Sequence, residues 1–70
     1  MPVVMAPINK DLKVIKILTD EKTKKHLNSL GIAVNCNVTV LSSSGGSVVL
    51  LIKDSRLALD RNIATKILVA

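Results

Sequence analysis

Apolar and polar positions in this chain follow two periods, with short strand-like runs on either side of one helical stretch. Leu12 to Leu18 predicts the first strand. Its parity breaks midway. Leu12 and Val14 share one face, but Ile15 and Ile17 share the other. Either both faces are covered, or a bulge near Ile15-Lys16 resets the pleat, and the bulge is the preferred reading. A second strand is predicted from about Cys36 to Ser42, with Val38 and Val40 on one side and Thr39 and Leu41 on the other. A third runs from Ser47 to Lys53. Its five consecutive apolar residues, Val48 to Ile52, predict cover on both faces. Between these two strands, Ser43-Ser44-Gly45-Gly46 predicts a hairpin loop slightly longer than the two-residue type. Asp54-Ser55 reads as a turn. Arg56 to Leu59 is short and extended, with Leu57 and Leu59 on one face. Asp60 is placed to cap a single turn through Ala64, and Thr65 to Val69 closes the chain as a strand with Ile67 and Val69 inward.

The period changes to helical after Thr19-Asp20, either of which can N-cap a helix over about 20–30. Asp20 and Glu21 lie where the helix dipole favours acids. The apolar stripe is thin: Thr23, Leu27 and Leu30, with His26 beside it. So short and polar a helix depends on tertiary support. Its stop is well marked. With Gly31 at C′, Ile32 becomes C″ and Leu27 becomes C3, the pair that makes the apolar contact of a Schellman motif. Asn35 is the next residue suited to positive φ. At the start, two prolines bracket Val3 to Ala6, and Val4, Met5 and Ile8 predict one helical turn or an apolar plug. About five short strands with one inserted helix indicate a mainly β fold, a small, partly open barrel.

Composition narrows the class. Seventy residues make one domain spanning 1–70. A domain of this size buries only about 60–65% of its unfolded surface, so its core must be well made. The hydrophobic fraction is 49% with no aromatic residue, so Val, Ile, Leu and Ala fill that core. There is no apolar run long enough to span a membrane and no secretory leader pattern at the start. The single cysteine, Cys36, excludes an internal disulfide and suits a reducing, cytoplasmic setting. The net charge is +5, and six of the ten basic residues fall between Lys10 and Lys25. A basic balance favours anionic partners. Without an aromatic side chain to stack on a base, solubilising lysines are a stronger reading than a nucleic-acid footprint.

The ordered set Leu30-Gly31-Ile32, Asn35, Val38-Thr39-Val40, Gly45-Gly46, Arg56-Leu57-Ala58-Leu59, Ala64 and Ile67-Leu68-Val69 resembles the ferrous iron transport protein A family, FeoA. The resemblance runs from about Met5 to Val69. It implies an SH3-like barrel, a cytosolic accessory or regulatory protein of ferrous iron uptake, and no enzyme. It also implies a partner, the FeoB-type membrane transporter, and a place in transition-metal homeostasis. The chain departs from the family in one consistent way. Asn9, Asn35 and Asp54 stand where glycine is usual, and these residue types accept left-handed turns best after glycine.

The candidate chemistry is sparse. His26 and Cys36 are the soft metal-ligating side chains besides the methionines, and two isolated ligands fall short of the three or four a site needs. No resident metal or cofactor is expected, although a weak site shared between chains stays open. The Ser43 to Gly46 loop lacks a Gly-Lys-Ser/Thr ending and precedes a strand, unlike a phosphate loop. No catalytic constellation is indicated. Thr23, His26, Leu27 and Leu30 are the candidate partner-binding residues, lining a groove between helix and sheet. The competing reading is that Leu27 and Leu30 only cap the core. Proline-rich ligands are not expected, because their grooves are aromatic.

Two other functions compete with the transporter reading. A small basic nucleic-acid-binding barrel rests on charge alone. A stand-alone relative of the SH3-like domain of metal-dependent repressors would need a DNA-binding helix-turn-helix ahead of it, and only a short apolar turn precedes Leu12. Weak self-association through an edge strand is also compatible with the pattern.

Overall fold

A computed structural model describes residues 1–53 and 55–70, and its sheet turns on the first strand, β1 (Asp11–Ile17). The other elements are α1 (Glu21–Ser29), β2 (Asn37–Ser44), β3 (Ser47–Ile52), β4 (Ser55–Leu59), α2 (Arg61–Ala64) and β5 (Ile67–Val69), preceded by a 3-10 turn at Val3–Met5. The five strands form one open antiparallel sheet in the order β4-β3-β2-β1-β5. This is the mainly β, SH3-like architecture with one inserted helix that the pattern and the resemblance lead one to expect.

β1 serves two partners. Its first half pairs with β2 through Leu12↔Val38, and its second half pairs with β5 through Val14↔Val69 and Ile17↔Ile67. The register shifts between Val14 and Lys16, so Ile15 is the extra residue of a bulge, as its broken parity predicts. Leu12, Val14 and Ile17 are buried, whereas Ile15 is 46% exposed.

A second bulge, between Val40 and Ser42, corrects the reading of the first hairpin. It carries β2 on to Ser44, which pairs with Ser47. The loop is therefore the two-residue type, Gly45-Gly46, with φ of 59° and 89°. Two positive φ values in succession give a type I′ turn, whose twist matches that of the flanking strands. Ser42 and Ser43 carry no apolar parity, so nothing in the pattern marks this bulge.

The core is made by alternation. Val38 and Val40 face inward on β2, and Val48, Leu50 and Ile52 on β3. Val49 and Leu51 are only half-buried, so the outer face of β3 is less covered than its apolar run suggests. The reason is that α1 buries a single side chain, Leu27, and does not form a second layer. Among the described residues, no polar or charged side chain is buried.

The N-terminal turn forms, but in a different phase from the expected plug. Val3 and Ala6 are buried, while Met5 is 72% exposed and Ile8 is exposed too. Bridges at both ends, Pro2 to Leu68 and Ile8 to Val40, set that phase. The Val69 amide also donates to the Met1 carbonyl at 2.7 Å, so this segment covers the outer edge of β5. At the other end, Asp60 Oδ1 accepts from the Ile63 amide at 2.9 Å and starts α2. Ile67 and Val69 then turn inward, as the pattern predicts.

Candidate partner-binding site

Both ends of α1 are fixed by local chemistry. Asp20 is extended and serves as the N-cap, its Oδ1 accepting from the Thr23 amide at 2.9 Å. Hydrogen bonding from Thr23, first its side chain and then its amide, holds the Asp20 carboxyl below its ordinary pKa, and the Lys66 charge adds to this. Glu21 lies in the first turn and stands 3.9 Å from Lys24 on the exposed surface. At the C-terminus the Ile32 amide donates to the Leu27 carbonyl at 2.9 Å, and the Gly31 amide to Asn28 at 3.1 Å. With Gly31 at φ +101°, these are the two bonds of the Schellman motif predicted by Leu30-Gly31-Ile32.

The segment after Gly31 is tied to the bulged strand. The Asn35 amide donates to the Val14 carbonyl at 2.7 Å, and the Val14 amide donates to Cys36 at 2.9 Å. This clamp sits one residue before the bulge at Ile15. Beside it opens a cleft of about 360 Å³, lined by Gly31, Asn35, Cys36, Asn37, Ile52 and Lys53. Ile52 is a buried wall, Cys36 is half-buried, and Asn35, Asn37 and Lys53 are exposed. Gly31, Asn35 and Lys53 all have positive φ, at 101°, 75° and 51°. Left-handed backbone thus forms much of the rim. The cleft offers amide donors and acceptors and one ammonium group beside an apolar wall.

The four residues singled out from the pattern lie on or beside one face of α1. Leu27 is turned into the core at 2% exposure, Thr23 is half-buried, and His26 and Leu30 are exposed, Leu30 at 39%. Leu30 is the C-cap and leads directly into the cleft wall at Gly31. His26 lies on α1, whereas Cys36 lies in the loop just before β2. Among the described residues, no three His, Cys, Asp or Glu side chains gather as a metal would require. None of Thr23, His26, Leu27 and Leu30 lines the cleft, and no sequence pattern marks it. Gly31 and Asn35 were legible as turn residues, and Asn9 also adopts positive φ, at 63°. Lys53 carries no such signal, and the third expected position, Asp54, lies outside the described residues.

The chain is matched over residues 1–70 by the model of the FeoA domain. Three solved structures share its fold. A crystal structure of an iron uptake regulatory protein, FeoA, is 22% identical and superposes with a TM-score of 0.84, covering 99% of this chain and 92% of that one. The FeoA protein of Chlorobium tepidum is 18% identical with a TM-score of 0.86, over 99% of this chain and 68% of its own. A FeoA-like protein of Clostridium acetobutylicum is 21% identical with a TM-score of 0.81, over 100% and 84%. No curated protein sequence matches the chain.

Proposed function

The chain belongs to the FeoA family, which is associated with ferrous iron transport, and from that premise we propose that it is a non-enzymatic, cytoplasmic accessory protein that binds and regulates a FeoB-type transporter. One structural neighbour is described as an iron uptake regulatory protein, which agrees with a regulatory role. No helix of the described residues is long and apolar enough to cross a membrane, so a transporter would be met from outside the bilayer.

The observation that carries the reading is the exposed end of α1 beside the cleft. Leu30 is a large apolar side chain left 39% exposed at a rigidly capped helix end. We assign the contact to Thr23, His26, Leu27 and Leu30, with Leu27 as the buried floor that positions the others. A transporter segment would lay an apolar side chain against Leu30 and hydrogen-bond to the exposed side-chain carboxamides of Asn35 and Asn37. Transition-metal ions enter this reading as the transporter's cargo.

The test is an amide NMR titration of the labelled chain with the cytosolic G-domain portion of a ferrous transporter. Shifts gathered at Thr23 to Gly31 and at Asn35 to Asn37 are the expected result. Shifts gathered elsewhere would move the contact, and no shift at high concentration of the G-domain would overturn it.

A further inference from the structure

The outward face of the ribbon formed by β1 and β5 has no part in the contact proposed above. Its membership follows from the pairing. The amides of Lys13 and Ala70 each donate to the other's carbonyl, at 2.9 and 3.0 Å respectively. Lys16 lies opposite Leu68, and the bulge extrudes Ile15 beside it. The Leu18 amide donates to the Lys66 carbonyl at 2.8 Å. Val14, Ile17, Ile67 and Val69 point inward and are buried. The residues between them therefore face out. Three lysines, Lys13, Lys16 and Lys66, are exposed there. Among them lie Ile15 at 46% exposure, Leu18 at 50%, and the half-buried Leu68. Two carboxylates bracket the face, and one of them, Asp20, lies close enough to Lys66 for their charges to interact, so Lys13 and Lys16 are the lysines least offset. Asp11 accepts from the Thr39 hydroxyl at 3.2 Å, and Asp20 caps α1.

We propose that this face docks on an anionic phospholipid surface. Charge complementarity is the first argument: lysines line the ribbon, and negatively charged headgroups attract each of them. The second is their interleaving with aliphatic side chains. A lysine stem lies along apolar surface while its ammonium reaches outward, so lysine and aliphatic neighbours together suit a headgroup boundary. The third is the absence of features that other anionic partners need. The chain has no aromatic residue to stack on bases. The ribbon carries no arginine for paired recognition of carboxylates. The bulge is the structural device, since it turns Ile15 outward in a strand whose other apolar residues are buried.

The experiment is co-sedimentation of the whole chain with vesicles of phosphatidylcholine, with and without a third of phosphatidylglycerol. Binding to the anionic vesicles alone is expected, and it should weaken steeply as salt rises and screens the lysines. Replacing Lys16 and Lys66 together by Gln should lower the affinity roughly thirtyfold. Ile15→Ser should lower it while leaving the salt dependence intact. Lys22→Gln with Lys25→Gln, on α1, is the control and should change little. Thermal melting checks that each variant folds, and Lys13→Gln replaces any that does not. No binding to anionic vesicles, equal binding to neutral ones, or an equal loss in the α1 control would overturn the proposal. Tighter binding to duplex DNA at the same salt, weakened by the same substitutions, would also overturn it, in favour of nucleic acid.

Discussion

The Leu27 carbonyl accepts from the Ile32 amide at 2.9 Å, and both side chains are buried, Leu27 at 2% exposure and Ile32 at 0%. One five-residue step thus ends the helix, plants its anchor in the core and starts the segment that walls the cleft. Everything proposed for the helix end depends on this step.

Gly31 is the residue that makes the step feasible. At φ +101° an L side chain is strained, and an added Cβ would stand 3.1 Å from Ile52 Cγ2. Gly31→Ala is expected to cost roughly 1–2 kcal/mol of stability from the backbone alone. The Ile52 contact adds to this, because Ile52 is part of the core. Urea unfolding of the variant measures it. Asn35→Gly, at φ +75°, is the contrasting case and should be nearly neutral. Equal losses in the two variants would contradict the assignment.

Leu27 is the one fully buried residue of α1. Leu27→Ala is expected to destabilise the chain by about 2–5 kcal/mol, a large part of the stability of a domain this small. Leu30 is 39% exposed, and Leu30→Ala should cost clearly less than Leu27→Ala, about 1 kcal/mol. Comparing chemical denaturation with transporter binding separates the two roles. Leu30→Ala should keep the fold and lose the partner. A variant that keeps both would leave Leu30 without the assigned function.

The cap at Asp20 makes stability depend on pH. Its carboxyl is held below the ordinary value by hydrogen bonding from Thr23. A group whose pKa is lowered on folding contributes stability above its unfolded pKa and loses it as pH falls through the folded one. The contribution is therefore complete at neutral pH and fades below about pH 4. Asp20→Asn keeps a capping oxygen without the charge. The urea midpoints of wild type and variant, taken from pH 7 to pH 2, should converge at the acid end. A gap that stays constant across that range would exclude the linkage.

At the hairpin, the aliphatic stem of Arg61 lies across Gly46, so that a Cβ on Gly46 would meet Arg61 Cγ at 2.7 Å. Gly46→Ala then has two costs, backbone strain at φ +89° and displacement of Arg61. Arg61→Ala should remove the second and keep the first. A double-mutant cycle is expected to show coupling of roughly 0.5–1 kcal/mol, with Gly46→Ala milder in the Arg61→Ala background. Strict additivity would show that the Arg61 stem moves aside freely.

Much of this arrangement could be read from individual residues. The clash of parity at Ile15 announced a bulge, and the bulge is there. Leu30-Gly31-Ile32 announced the helix stop and Asp60 the cap of α2, while the cap of α1 lay between Thr19 and Asp20 and falls to Asp20. These signals are local, because each depends on backbone preferences within four or five residues. The bulge in β2 was not legible, since Ser42 and Ser43 would read the same in or out of register. The two-residue hairpin was missed for the same reason. The cleft joins Gly31 and the Asn35 to Asn37 segment to Ile52 and Lys53, which are distant in sequence, so no local pattern marks it.

By itself, the sequence determined the order of helix and strands, where α1 starts and stops, the inward residues of most strands, and that no aromatic residue is present. Propensity, capping and alternation act over a few residues and need no fold to be read. Only the tertiary structure decided that α1 is anchored by Leu27 alone, that Lys53 takes a left-handed conformation, and that Lys13, Lys16 and Lys66 share one face with Ile15 and Leu18. Those outcomes depend on strand register, and register is set by the packing of the whole core rather than by any one stretch of chain.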